Sequence, residues 1–366
     1  MVSSTTSTNP PLSTSYEKEL LVAQLAVQRA TILTKKVFEE KEKGTITKDD
    51  ESPVTIGDFG AQALVNHAIK SNFPDDGIMA EEEAGALEEN PKLVDLVWDR
   101  VQNSNLKSPE AQAILGGPIK STQDMLEAIA RGNSIGGRKG RIWVLDPIDG
   151  TKGFLRGGQY AVCLALIVDG QVKVGVLGCP NLKLIDIASI IIDSNPNQTN
   201  INENGILLSA VEGQGAVRRT LGLGGLEKSS SIRMRLVKDL SKAIFCESVD
   251  ASHSSHENQG KIAAELGLNE PSIRMDSQAK YASLAMGMAD IYLRFSVNSS
   301  YQEKIWDHAA GNIIVREAGG EVSDTLGHRL DFGQGRTLVK NKGIIASSRE
   351  IHQKVIDAVQ KVLAQK

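Results

Sequence analysis

Residues 142–151 carry the most informative pattern in the chain: Ile142-Trp143-Val144-Leu145-Asp146-Pro147-Ile148-Asp149-Gly150-Thr151. The apolar tetrad that opens it predicts a short buried strand, which we expect Asp146-Pro147 to stop. Because Pro147 stiffens the backbone and Gly150 permits a tight path, both aspartates are expected in one turn at the strand end. Their carboxylates and the carbonyl of Ile148 would offer the oxygen ligands that hard divalent cations prefer.

Asp, Pro and Gly are also common in ordinary loops, so the Asp-Pro-x-Asp-Gly turn by itself is equally consistent with a structural role. Three further acids favour a metal site, because each stands where the chain leaves a predicted element: Asp58 near a helix start, Glu81 after the predicted strand at 78–80, and Asp307 at another helix start. Taken singly, these acids would be read as partners of helix dipoles or as part of a solvated acidic run. Together they predict convergence on one site.

The rest of the chain predicts helices layered on mostly antiparallel sheet. Two helical patterns precede the strand at 78–80, the first expected to end at Gly44 and the second before Pro74. Asp169-Gly170 joins two apolar runs and is typical of a hairpin turn. Further strands and helices are expected at 272–275, 290–295, 305–318, 343–346 and 350–363. This mixture indicates an α+β fold rather than a doubly wound parallel one.

Composition predicts three segments along the chain. Residues 1–15 are rich in Ser, Thr and Pro and are expected to form a mobile tail. A Gly-, Asn- and Ser-rich stretch at about 193–231 is expected to contain a boundary between lobes. The predicted division is an N-terminal α+β lobe at 16–225 and a C-terminal α/β lobe at 226–366.

The bulk properties exclude several classes of protein. The chain has 366 residues and a formal charge of -4, which gives no broad attraction to nucleic acid or acidic membranes. No apolar run approaches a membrane span, and the odd set Cys163, Cys179 and Cys246 lacks the spacing of a zinc site or disulfide framework. A cytoplasmic location is therefore expected. The basic loop at 136–141 is interpreted as a solvated turn, and the glycines at 222–225 lack a dinucleotide fingerprint.

Four acidic motifs occur in the order and context typical of one superfamily: Gly57-Asp58, Glu81-Glu82, residues 146–151 and residues 306–311. On these motifs the chain resembles the lithium-sensitive, inositol monophosphatase-like phosphatases. It is most similar to the 3'(2'),5'-bisphosphate nucleotidases of fungal type, through residues 54–58, 71–76, 275–281 and 301–307. The resemblance covers about residue 16 to the C-terminus. It implies a layered α-β-α-β-α sandwich of the inositol monophosphatase and fructose-1,6-bisphosphatase type.

The resemblance also implies roles for individual residues. Two or three Mg²⁺ ions would be held by Glu81, Asp146, the Ile148 carbonyl, Asp149 and Asp307. Asp58 and Thr151 would orient and deprotonate the attacking water. Substrate contacts are implied at Thr151, His253, Ser277, Lys280, Arg294 and Asp307, and His256 could replace His253. Without the resemblance, Lys280 and Arg294 would be read as ordinary surface charge and Ser277 as a helix cap. Ala80 replaces a glycine of the family, which could shift Glu81.

The function implied by the resemblance is Mg²⁺-dependent removal of the 3'-phosphate of adenosine 3',5'-bisphosphate, giving AMP and phosphate by metal-activated water. The sulfated analogue 3'-phosphoadenylyl sulfate is an expected second substrate, and the implied roles are in sulfate assimilation and salt tolerance. Inhibition by lithium is implied too. The alternatives are an inositol polyphosphate 1-phosphatase and a catalytically silent nucleotide or metal sensor. A monomer without nucleic-acid or membrane partners is favoured.

Overall fold

The computed structural model describes residues 15–42, 53–183, 205–249, 256–295 and 301–365. Most of the predicted tail and the predicted helix end at Gly44 lie outside these ranges. None of the helices within them combines the length and apolarity needed to cross a bilayer.

The described helices include the two predicted before the strand at 78–80 and the one predicted at 350–363, together with others. They are α1 (Glu17–Glu42), α2 (Pro53–Asn72), α3 (Ala84–Glu88), α4 (Pro91–Gln102), α5 (Pro109–Ile114), α6 (Thr122–Ala130), α7 (Thr151–Arg156), α8 (His256–Leu266), α9 (Ala279–Ala285), α10 (Ala309–Glu317) and α11 (His352–Leu363). Short 3-10 turns lie at Leu240–Lys242 and Ile305–Asp307. The second predicted helix end is confirmed, because α2 stops two residues before Pro74.

The described strands form two sheets. They are β1 (Gly77–Ala80), β2 (Arg141–Asp149), β3 (Ala161–Val168), β4 (Gln171–Cys179), β5 (Ile206–Val211), β6 (Ala216–Thr220), β7 (Ser230–Ile232), β8 (Phe245–Glu247), β9 (Ile273–Arg274), β10 (Ile291–Arg294), β11 (Gly320–Ser323) and β12 (Ile344–Ser348). The first sheet runs β1 to β7 in chain order, and only its β1–β2 pair is parallel. The second has the order β11-β12-β10-β8-β9.

Alternation along β2 explains how the first sheet is covered on both faces. Trp143 and Leu145 pack into a cluster with α1 and α2, whereas Ile142 and Val144 pack into a cluster with residues of α9 and α10. Because side chains alternate along a strand, Asp146 follows Val144 onto the face toward α9 and α10.

The second sheet lies on the other side of α9 and α10. In β10, Tyr292 packs toward these two helices, and its neighbours Ile291 and Leu293 pack against α8 and α11. The order of layers is therefore helices, sheet, helices, sheet, helices. The α+β fold and the expected α-β-α-β-α sandwich are confirmed.

The prediction that Asp146-Pro147 ends the strand was wrong. β2 continues to Asp149 and still pairs with β3, where Asp146 lies opposite Cys163 and Asp149 opposite Ala161. The register shifts between these two pairs, and proline, which has no N–H to donate, is tolerated at such an irregularity.

The boundary expected at residue 225 falls inside the first sheet, because β7 at Ser230–Ile232 is its last described strand. One hydrophobic cluster also contains residues from both predicted lobes, including Val144 and Ala310. The division into two lobes stays a prediction.

Candidate metal and phosphate site

The register shift in β2 brings two acids toward the middle helix layer. Asp146 is only 2% exposed, and its Oδ1 has no hydrogen-bond partner. Asp149 is half-buried and accepts hydrogen bonds from the backbone N–H of Gln278 and, at 3.9 Å, from the Cys163 thiol. Gly150, with φ of 91°, then reverses the chain into α7.

Gln278 links Asp149 to the segment that carries Asp307. Its side-chain amide donates to the Trp306 carbonyl at 2.7 Å, and its side-chain oxygen accepts from the backbone N–H of Gly311 at 2.9 Å. Sequence reasoning placed Gln278 only within a motif and gave it no role. Its position shows that it holds β2 and the turn before α10 together.

Electrostatic interactions join Glu81, which follows β1, to Asp146 and Asp149 of β2 and to Asp307 in the turn before α10. Burial raises the pKa of Asp146 well above its usual range, and the charges of Glu81, Asp149 and Asp307 raise it further. Burial, the Asp307 charge and Glu82 raise the pKa of Glu81 to about 8, although Glu81 shares a side-chain hydrogen bond with Asp146. Burial also raises the pKa of Asp307 to about 6, against the opposing effect of Arg294.

This arrangement fits a divalent cation. Beyond the effect of burial, the charges of Asp149 and Asp307 raise the pKa of both Glu81 and Asp146 because like charges are crowded together, and a cation would relieve that repulsion. The unpartnered Oδ1 of Asp146 has the hard oxygen chemistry that Mg²⁺ prefers. The structure thus brings together Glu81, Asp146, Asp149 and Asp307; their role as ligands stays a prediction, as does that of the Ile148 carbonyl.

Asp58 lies in the second turn of α2, slightly deeper in the helix than expected, and is buried. Burial and then the charges of Glu82 and Glu81 raise its pKa well above the usual range, and a hydrogen bond with the backbone of Ile148 opposes this. Thr151 is exposed at the start of α7. Both residues are described, and no hydrogen bond joins their side chains, so their catalytic pairing stays a prediction.

Lys280 and Arg294 are not the surface charges that their residue types alone suggest. Lys280 is 3% exposed, donates to the Met275 carbonyl at 3.4 Å and lies 5.3 Å from the Tyr292 ring centroid. Burial lowers the pKa of Lys280, while the nearby Asp149 opposes that shift. Burial raises the pKa of Asp149 and the charges of both cations oppose that shift, which places them beside the acidic cluster.

Arg294 belongs to a buried ionic network. It is 9% exposed and lies 2.7 Å from Glu303 and 3.2 Å from Asp307. Glu303 also contacts the ring of His308 at 3.2 Å, and the other ring nitrogen of His308 is 2.9 Å from the Tyr281 hydroxyl. Glu303 carries no signal in the sequence beyond its place in the motif at 301–307.

The remaining predicted substrate contacts are unevenly described. Ser277 is half-buried beside Gly150, with φ of 64° and an Oγ that accepts from the backbone N–H of Ala279 at 3.0 Å. His253 lies outside the described residues, and the side chain of His256 is not described. The choice between the two histidines stays open.

The layered fold and its acidic centre define the class of protein. A model of the inositol monophosphatase family matches residues 15–364, and the chain belongs to that family. Its similarity to characterised relatives is high. It is 56% identical over 349 residues to the 3'(2'),5'-bisphosphate nucleotidase of Emericella nidulans, with 95% of this chain and 99% of the relative covered. It is 47% identical to that of Schizosaccharomyces pombe, over 96% and 97% of the two chains. The resemblance found in the sequence is confirmed.

Solved structures agree on the fold. An inositol monophosphatase from Zymomonas mobilis superposes with a TM-score of 0.59 at 17% identity, covering 95% of this chain and 100% of that chain. CysQ from Bacteroides thetaiotaomicron, a bacterial member of the family, gives 0.57 at 20% identity, covering 91% and 98%.

Proposed function

We propose that this protein is a Mg²⁺-dependent 3'(2'),5'-bisphosphate nucleotidase that removes the 3'-phosphate of adenosine 3',5'-bisphosphate, giving AMP and phosphate. The observation that carries the proposal is the coupled carboxyl cluster, with the orphaned Oδ1 of Asp146 in its interior and two buried cations beside it. The names of the fungal relatives support the choice of substrate.

The residues that would hold magnesium are Glu81, Asp146, Asp149, Asp307 and the Ile148 carbonyl. Bound Mg²⁺ would supply charge neutralisation, lower the pKa of water and stabilise the leaving oxygen. The net charge of the protein is -4, so an anionic substrate needs local positive charge at the site. Lys280 and Arg294 lie near Asp149 and supply that charge at fixed positions. Gln278 holds Asp149 and the turn that carries Asp307 in place for both the metal ion and the substrate.

Asp58 is the residue best suited to accept a proton. Its buried carboxyl has a pKa raised well above the usual range, so it binds a proton more readily than an exposed aspartate does. Because Thr151 cannot act as a strong base alone, a proton taken up at its hydroxyl would have to pass to Asp58. That transfer requires a hydrogen bond between them, which we propose forms when substrate binds.

Phosphate release from adenosine 3',5'-bisphosphate tests the proposal directly. We expect release with Mg²⁺ and none after chelation, and slower release from inositol 1,4-bisphosphate. Faster release from the inositol substrate would favour the inositol polyphosphate phosphatase instead. No release from either, together with tight nucleotide binding, would favour the silent sensor.

The role of Asp58 has its own test. Asp58→Asn is expected to lose at least about 100-fold in kcat, the lower end of general-base effects, while divalent-cation binding persists. Asp95→Asn, an exposed site on α4, is the matched control and should retain full activity. Full activity in Asp58→Asn would remove the proposed proton acceptor.

Several wider properties belong to the same proposal. We propose a cytoplasmic monomer without nucleic-acid or membrane partners, acting in sulfate assimilation and salt tolerance and also accepting 3'-phosphoadenylyl sulfate. Inhibition by lithium is expected through replacement of a weakly held Mg²⁺. Undiminished turnover in millimolar lithium would contradict the last point.

A further inference from the structure

Arg336, in the loop between β11 and β12, contacts two segments that carry predicted metal ligands. Its Nη2 donates to the carbonyl of Ala80 at 2.8 Å, and its guanidinium carbon lies 4.6 Å from the ring centroid of Trp306. Ala80 directly precedes Glu81, and Trp306 directly precedes Asp307. One side chain therefore bridges the end of β1 and the turn before α10, which are more than 200 residues apart in sequence.

The backbone around Arg336 is fixed to the same turn. The Arg336 carbonyl accepts a hydrogen bond from the N–H of Ile305 at 3.1 Å, and the N–H of Leu338 donates to the Glu303 carbonyl at 2.9 Å. Trp306 is buried, so its ring offers a fixed face for the guanidinium. The second nitrogen, Nη1, reaches the Ser134 carbonyl at 3.4 Å. Several contacts therefore fix the orientation of the planar guanidinium group of Arg336.

The contacts of Arg336 oppose the repulsion between two acids of the site. Glu81 and Asp307 carry like charges and repel each other. Metal affinity depends on residues that orient the ligands as well as on the ligands themselves. A guanidinium can donate along its fork and stack on an aromatic face at once, whereas a lysine ammonium cannot reproduce both.

We propose that Arg336 is a positioning residue, which holds the segments bearing Glu81 and Asp307 in the relative position that the metal site requires. This inference rests on the proposed metal-dependent function. It assigns to Arg336 no contact with substrate.

A matched control exists in the same region. Arg138 in the loop at 136–141 joins that loop to Asp331 through an ion pair of 2.6 Å. It therefore also makes a link to the loop between β11 and β12, and it is exposed. Substituting Arg138 removes a loop-to-loop link while leaving the Ala80 and Trp306 contacts in place.

The test is calorimetric titration of the metal-free protein with Mn²⁺ alone, without substrate, on wild type, Arg336→Met, Arg336→Lys and Arg138→Met. Arg336→Met is expected to lose about 10- to 100-fold in Mn²⁺ affinity, the range for residues that orient metal ligands. Arg336→Lys should fall between Arg336→Met and wild type, and Arg138→Met should stay within about twofold of wild type. The Mg²⁺ concentration for half-maximal phosphate release should rise in parallel.

The outcomes distinguish a failure of the metal-dependent function from a failure of the positioning role of Arg336. Wild-type protein that binds no Mn²⁺ would overturn the metal-dependent function itself. Wild-type binding with an Arg336→Met affinity within about twofold of it, or an equal loss in Arg138→Met, would overturn the positioning role alone. If Arg336→Met does not unfold cooperatively, Arg336→Lys decides, and wild-type affinity in that variant rejects the inference.

Discussion

Gly150 lies in the turn that joins β2, the strand with the two aspartates, to α7. Gly150→Ala tests whether this turn is as tight as the structure indicates. Gly150 has φ of 91°, a conformation that alanine adopts only with strain. A Cβ at this position would lie 2.7 Å from the Cβ of Ser277 and 3.3 Å from the Gln159 carbonyl oxygen. Ser277 cannot withdraw easily, because it has φ of 64° itself and the next N–H, that of Gln278, donates to Asp149.

The expected loss of stability has two parts. A left-handed conformation at a residue with a Cβ costs about 1–2 kcal/mol. Forcing a methyl group into a filled space costs about 1–3 kcal/mol more. The sum for Gly150→Ala is about 2–5 kcal/mol. Activity should fall as well, because relief of the contact moves Ser277 and, with it, the hydrogen bond that fixes Asp149.

Urea denaturation followed by circular dichroism measures the loss, and phosphate release with saturating Mg²⁺ measures the activity. Gly140→Ala is the control, because Gly140 has φ of 88° but a Cβ added there would meet nothing within 4 Å. It should lose only the conformational part, about 1–2 kcal/mol, and keep wild-type activity. Equal losses in the two variants, with activity intact in both, would refute the tight contact between Gly150 and Ser277.

Three further predictions concern stability. His352 is held neutral between the hydroxyls of Ser323 and Ser347, and burial lowers its pKa, so the unfolded chain takes up its proton first. Stability present above pH about 6.5 should therefore decline as the pH falls toward 5, and less steeply in His352→Gln. Arg235→Met should cost about 3–5 kcal/mol in urea denaturation, because it leaves the fully buried Asp290 without its ion pair. Mg²⁺ should raise the unfolding temperature, by the equivalent of about 2.7 kcal/mol at 100 times its Kd, and chelation should reverse this.

Each of these has an outcome that contradicts it. Identical pH profiles for wild type and His352→Gln would show that His352 does not titrate on unfolding. Arg349→Met is the control for Arg235, because the Arg349 pair with Glu321 is 64% exposed on the arginine side and should contribute no more than about 1 kcal/mol. An unfolding temperature that changes with neither Mg²⁺ nor chelator would contradict the cation site.

Patterns confined to neighbouring residues were read correctly. Asp169-Gly170 predicts the hairpin that β3 and β4 form, and Pro74 marks the end of α2. Such signals depend on backbone preferences and local hydrogen bonds, which the sequence displays directly.

Errors arose where a distant contact overrides the local preference. Pro147 is a strand breaker by itself, but β3 keeps pairing around it through the register shift. Lys280 and Arg294 look like surface residues until the layers close over them and supply Asp149, Glu303 and Asp307 as partners. Residues 138–140 are exposed as the predicted solvated turn requires, but Arg141 at its end begins β2 and forms ion pairs with Glu19 and Asp76.

The sequence by itself determined the α+β class, the hairpin at Asp169-Gly170, the end of α2 and the positions of the five acids at or near element ends. Only the tertiary structure decided that the charges of Asp149 and Asp307, in addition to burial, raise the pKa of Glu81 and Asp146, and that Gln278 and Arg336 link the segments that carry these acids. The reason is physical. Periodicity and turn chemistry act over a few residues, whereas sheet register and layer packing set the distances between side chains far apart in the chain.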